Sequence, residues 1–247
     1  GDGTSEMLVR SGGNLLVLSP ATLQTLASFP SPAASSGFRV GDVHGDTRPE
    51  LVAADGVAYS ITRNGQNYSA TSVWTSARGP LAYFALADLD GDGKSEAVSA
   101  RLDGSVGVER ISPSPAYVPL AQYPINYGIT LEDLTGDGVP EALVSCGCTP
   151  DNLVALTMQG GELWRVRELH LGGASVLKRS TGELSLVLGD DWRIKARPLP
   201  GASGASWEIG KTNLNLVSGS TFYDDAGQSR MAILIAPSSA GHRVGVL

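Results

Sequence analysis

Apolar residues along this chain come in short runs, each closed by glycine, aspartate or asparagine. FRVGDV (38–43), LVAA (51–54), VAYSIT (57–62) and YSATSVWT (68–75) follow one another, and YFALADL (83–89), EAVSA (96–100) and SVGVERI (105–111) repeat the order. Between the runs stand Asp55-Gly56, Asn64-Gly65 and Asp103-Gly104. Such dipeptides favour tight hairpins, because the central turn residues take positive φ, which Asn, Asp and Gly tolerate best. The pattern predicts short antiparallel strands, and 31 Gly with 14 Pro suit many turns better than long helices. No apolar run approaches the ~18 residues of a membrane-spanning helix, so no transmembrane segment is expected in this chain.

The runs belong to a longer period. GDGTSEMLV (1–9), DVHGDTRPELVA (42–53), DLDGDGKSEAVS (88–99) and DLTGDGVPEALV (133–144) align, with weaker copies at 175–187 and 222–234. The last loop position falls at Glu6, Glu50, Glu96, Glu141, Glu183 and Arg230, at spacings of 44, 46, 45, 42 and 47 residues. Four strands in each ~45 residues is the arithmetic of a propeller blade, and such a sheet must stack on neighbours to bury both faces. The expected fold is all-β: a single-domain β-propeller of about six four-stranded blades, with units near 1–37, 38–81, 82–127, 128–172, 173–217 and 218–247. The first unit lacks a leading strand and the sixth stops near its third. Six whole units would occupy about 270 residues, so seven blades in the native protein would also fit. Trp74, Trp164 and Trp207 fall near the last strand of their units. Large aromatics so placed read as packing between blades, with a sugar-lining stripe as the alternative.

Charge sharpens this picture. The net charge of −7 argues against a nucleic-acid partner. The segments 1–6, 42–50, 88–96 and 133–141 hold 12 of the 25 acidic residues and only Arg48 and Lys94 among the bases. The acidity therefore sits in the repeated loops, and metal chemistry has to be considered there.

In the third loop Asp88, Asp90 and Asp92 occupy positions 1, 3 and 5, Lys94 stands at position 7 and Glu96 at position 9. Alternate carboxylates converge when the backbone curls, and the Lys94 carbonyl with the Glu96 carboxylate could complete an oxygen shell. Hard oxygen donors without His or Cys suit calcium, which takes six to eight of them. An EF-hand needs glutamate at position 12, which is Ser99, so this is a nine-residue hairpin loop instead. The fourth loop offers Asp133, Thr135, Asp137, Val139 and Glu141, with a hydroxyl at position 3 in place of a carboxylate. The second offers Asp42, Asp46, Arg48 and Glu50, with His44 at position 3 and Thr47 where glycine is expected. The first keeps only the remnant Asp2 and Glu6. The fifth keeps Glu183 alone and the sixth has Arg230, so neither is expected to hold an ion.

DLDGDGKSE followed by an apolar strand resembles the calcium loop of FG-GAP/VCBS repeats, known from integrin α-subunit propellers and secreted bacterial proteins. The resemblance implies a propeller whose Ca2+ ions, one to three here, mainly brace blade hairpins, while ligands bind on loops at a propeller face. Calcium loops of this kind also imply an extracellular, cell-surface or periplasmic setting.

Cys146 and Cys148 are the only cysteines. A disulfide is the preferred reading for an exported protein, a soft-metal pair or free thiols the alternatives; zinc would want further ligands, and His44, His170 and His242 are scattered. No G-x-S-x-G elbow, Ser/His/Asp constellation or nucleotide fingerprint is present. The expected role is a binding, adhesion or scaffold module for a protein or glycan ligand rather than an enzyme. A polysaccharide lyase or hydrolase, or a lectin with sugar pockets between blades, is the alternative.

Overall fold

A computed structural model describes residues 6–19, 21–31, 37–64, 67–111, 116–148, 152–167, 173–178, 183–189, 194–202, 206–209, 214–223, 229–237 and 243–246. Among these residues there is no helix; the strands form six antiparallel sheets in chain order. The first sheet pairs β1 (Met7–Ser11), β2 (Asn14–Leu18) and β3 (Thr25–Pro30). The second runs β4 (Phe38–Gly41), β5 (Glu50–Ala53), β6 (Val57–Asn64) and β7 (Asn67–Thr75). The third runs β8 (Tyr83–Ala87), β9 (Glu96–Ala100), β10 (Ser105–Arg110) and β11 (Ala116–Gln122). The fourth holds β12 (Asn126–Glu132), β13 (Glu141–Cys146), β14 (Leu153–Leu156) and β15 (Glu162–Val166). The fifth holds β16 (Gly173–Lys178), β17 (Leu184–Gly189), β18 (Ile194–Pro198) and β19 (Trp207–Ile209), and the sixth β20 (Leu214–Tyr223), β21 (Ser229–Pro237) and β22 (Arg243–Val246). Each complete sheet is a meander in which sequence neighbours pair, the repeat anticipated from the 42- to 47-residue spacing.

In the second, third and fourth units the acidic loop joins the first two strands, and the second strand is enclosed along its whole length. β5, β9 and β13 are buried at every position. A strand covered on both faces reads as a continuous apolar run rather than an alternating one, as ELVA, EAVSA and EALVSC do. The side chains still alternate in direction. Leu51 and Ala53 pack with Leu15, Val17 and Phe29 of the first sheet, whereas Val52 joins Trp74, Leu81, Phe84, Ala97 and Ile111.

Contacts divide the chain into two compact units, Gly1–Ala97 with Glu109–Tyr117, and Val98–Val108 with Val118–Leu247. The first unit contains both apolar layers just described. In the second, Leu143, Leu153 and Ala155 pack against Val176, Leu186 and Leu188, with Trp164 partly buried beside them. Trp74 and Trp164 thus lie in the last strands of their sheets and serve as packing. Trp207 lies in β19, and Trp192 falls outside the described residues.

Asp55-Gly56 and Asp103-Gly104 form the turns read from the sequence. At the second, Gly104 has φ +86°, its amide donates to the Arg101 carbonyl, and its own carbonyl accepts from the Tyr123 amide at 2.9 Å. A Cβ there would run into the Tyr123 carbonyl oxygen. Gly104→Ala is therefore expected to cost about 2–4 kcal/mol, combining left-handed strain with a backbone collision. Gly12→Ala, also at positive φ but with nothing within 4 Å of the new methyl, should show only the strain, about 1–2 kcal/mol. Urea unfolding of the two variants compares them directly.

Candidate metal centre

Three acidic loops share one hydrogen-bonded frame. In each loop both oxygens of the position-1 aspartate accept backbone bonds, one from the position-4 amide and the other from the position-6 amide. For Asp42 these donors are Gly45 at 2.6 Å and Thr47 at 2.7 Å; for Asp88, Gly91 at 2.8 Å and Gly93 at 2.9 Å; for Asp133, Gly136 at 2.6 Å and Gly138 at 3.0 Å. The position-5 aspartates Asp46, Asp92 and Asp137 accept from the position-7 amides of Arg48, Lys94 and Val139 at 2.8–2.9 Å. Short polar side chains that cap their own backbone in this way are the reason aspartate populates such turns.

The position-9 glutamate closes the frame from below. Glu50, Glu96 and Glu141 begin β5, β9 and β13, are only 2–5% exposed, and accept from the position-2 amides of Val43, Leu89 and Leu134 at 3.1, 2.9 and 2.7 Å. Burial raises all three above the ordinary glutamate range; the amide donors oppose it, and the neighbouring aspartates add to it. Asp42 moves the other way. Burial pulls it up, but bonds from the Gly45, Thr47, His44 and Asp46 amides outweigh this and lower it.

Position 6 carries a backbone demand. Gly93 and Gly138 have φ of +85° and +87°, and Thr47 is held at +66° in the same place. A β-branched residue at positive φ is strained.

The loops differ in what they gather. One oxygen from each of Asp88, Asp90 and Glu96 lies within 4.8 Å of the others, and no other described acidic group forms such a trio. Ligands at 2.3–2.6 Å from one ion lie at most about 5 Å apart, so this donor set fits a hard cation. Asp92 stands outside the trio and turns to Lys94 Nζ at 3.7 Å. Asp90 also accepts from Arg110 Nη2 at 2.6 Å, a partner that sequence spacing had not indicated. In the fourth loop the Thr135 amide donates to Glu141 at 3.2 Å, and its hydroxyl lies 3.5 Å from the same carboxylate. His44 is exposed, with its amide on Asp42. Glu6 is exposed, and Asp2 lies outside the described residues, as do His170 and His242. Of the remaining anchors, Glu183 is exposed and Arg230 lies in β21.

The second and third loops touch. The Ser95 amide donates to the Asp42 carbonyl at 2.6 Å, and the Lys94 side chain covers Gly45 so closely that a Cβ there would collide with it. Farther along the chain, Cys146 at the end of β13 forms a disulfide with Cys148, and the Gly147 amide between them donates to the Ile125 carbonyl at 2.8 Å.

Two outcomes follow for the metal-free protein. A glutamate pKa raised in the folded state favours the protonated form, so its stabilising effect is present below about pH 4.3 and is lost as pH rises through the raised value. Urea unfolding in EDTA should show stability falling from about pH 4.3 towards neutrality, with a shallower fall in Glu96→Gln; a rise over that window would contradict it. Asp42 acts only on the acid side of this window, where its lowered pKa makes stability fall as pH drops. Separately, Thr47→Gly should stabilise by about 0.5–1 kcal/mol, strain relief exceeding the added chain entropy.

No family model and no curated protein matches the sequence. Among solved structures the chain is similar to BBS1N, crystallised in complex with ARL6DN. In the mercury-soaked crystal the TM-score is 0.59 at 13% identity, covering 98% of this chain and 74% of that one. In the lead-soaked crystal it is 0.59 at 12% identity, covering 96% and 77%. The WD40 domain of SCAP from fission yeast also matches, with a TM-score of 0.47 at 11% identity over 98% of this chain and 73% of that one. The BBS1N likeness, together with the repeated four-stranded meanders, makes the fold an all-β propeller.

Proposed function

We propose that the chain is a calcium-braced propeller of the FG-GAP/VCBS kind, working outside the cytoplasm as a binding or scaffold module. The observation that carries this reading is the convergence of Asp88, Asp90 and Glu96 on a nine-residue loop whose frame recurs twice more. Asp88, Asp90 and Glu96 would hold the ion in the third loop. Asp133, Asp137 and Glu141, helped by Thr135, are the next candidates, followed by Asp42, Asp46 and Glu50. The ion would neutralise carboxylates crowded at the end of a buried strand and hold the hairpin in shape.

A protein ligand is better supported than a glycan. A cavity of about 760 Å³ in the first unit is lined by Leu8, Val17, Leu51 and Ile61, with Arg48 and Glu6 as its charged groups. Its aromatic rings, Phe29 and Tyr68, stack on each other at 5.7 Å rather than standing open for a sugar. That lining suits an apolar side chain with a charged neighbour. BBS1N was itself crystallised with a protein partner.

Calorimetric titration of EDTA-stripped protein with CaCl2 tests the calcium reading. The parent should bind with a Kd of order 10⁻⁴–10⁻³ M and gain thermal stability, and Asp90→Ala/Asp92→Ala should lose the tightest site. Unaltered binding by that double variant would remove the third loop from consideration.

A further inference from the structure

We propose that Arg110 is the resident counter-cation of the third loop, holding Asp90 until a divalent ion displaces it. This rests on reading that loop as a calcium site and adds a control on its affinity. Arg110 ends β10 and donates from Nη2 to Asp90 Oδ2 at 2.6 Å. Asp88 and Glu96, the other members of the trio, accept from loop amides, and the other Asp90 oxygen accepts from the Asp92 amide at 3.3 Å. Asp90 is thus the member bound to a cationic side chain, and the one whose present bond competes with an incoming ion.

Comparison among the units supports the assignment. Among the second, third and fourth loops, position 3 is a carboxylate in the third alone; it is His44 in the second and Thr135 in the fourth. The residue that follows the partner of position 10 in the third strand is Ser60 in β6 and Thr157 after β14, and Arg110 stands at the corresponding end of β10. The guanidinium occurs in the unit that carries the extra negative charge, and nowhere else among these three.

The pair is built to exchange. Arg110 and Asp90 side chains are 52% and 36% exposed, so water screens their attraction and solvates each on release. A divalent ion brings twice the charge and orders no long side chain. Without the ion, Arg110 relieves repulsion among the clustered carboxylates; with it, the guanidinium would face a like charge and swing away. Arg110 therefore lowers calcium affinity and keeps the empty loop in shape.

The test is calorimetric titration of EDTA-stripped protein with CaCl2 for the parent, Arg110→Gln and Arg110→Lys, with thermal melts of stripped and calcium-saturated samples. Arg110→Gln should bind roughly three- to ten-fold tighter, from loss of an exposed pair and of charge repulsion. Its melting point should fall when stripped and match the parent when saturated, and Arg110→Lys should stay near the parent throughout. If the parent binds and Arg110→Gln binds equally or more weakly, the counter-cation role is wrong. If neither binds, the calcium reading has failed and the exchange with it; tighter binding by Arg110→Gln supports both.

Discussion

In three of the repeats a buried glutamate begins a strand enclosed along its whole length and reaches back to the amide of the loop's second residue. Glu50, Glu96 and Glu141 make this bond across seven residues of chain. It fixes the length of the loop, because the carboxylate must lie where the chain turns back. It also fixes pairing, since Glu50 stands opposite Gly41 and Glu141 opposite Glu132. A buried carboxylate is costly unless its oxygens are engaged. The loop amides meet part of that cost, and the raised glutamate pKa values register what is left over. The strands that follow can then be apolar on both faces and pack against two neighbours at once.

The aspartates above the glutamate play a different part. Those at positions 1 and 5 cap the loop backbone, so the frame stands on hydrogen bonds alone. The side chain at position 3 makes no bond that all three loops share. It can vary from Asp90 to His44 to Thr135 while the loop keeps its bonds, and it is therefore the place where charge can be added or withdrawn. Where it is added, the fold sets Arg110 against it. Where position 6 departs from glycine, as at Thr47, the same frame imposes a left-handed backbone on a residue that resists it.

Much of this was legible beforehand. The Asp-Gly turns, the packing of Trp74 and Trp164 and the four-strand unit follow from local preference and a period near 45 residues, and neither needs knowledge of distant contacts. The third loop could be ranked above the others because its carboxylates alternate. The glutamate bond to the position-2 amide was not legible, because a position-9 acid reads equally well as a metal ligand. Nor was the turning of Asp92 towards Lys94, or the Ser95–Asp42 link between successive loops, since both depend on how one hairpin lies beside the next.

Local preference along the chain sufficed for the all-β class, the repeat, the strand-and-turn order and the loops in which acid is concentrated. Those are properties of neighbours along the chain and of its period. Tertiary structure alone decided which carboxylates face one another and which basic group meets them. Asp90 and Arg110 are 20 residues apart, and their 2.6 Å contact exists because the third sheet folds β10 back beside the loop that precedes β9. Side-chain electrostatics acts over a few ångströms, and distances of that size are set only once the strands are packed.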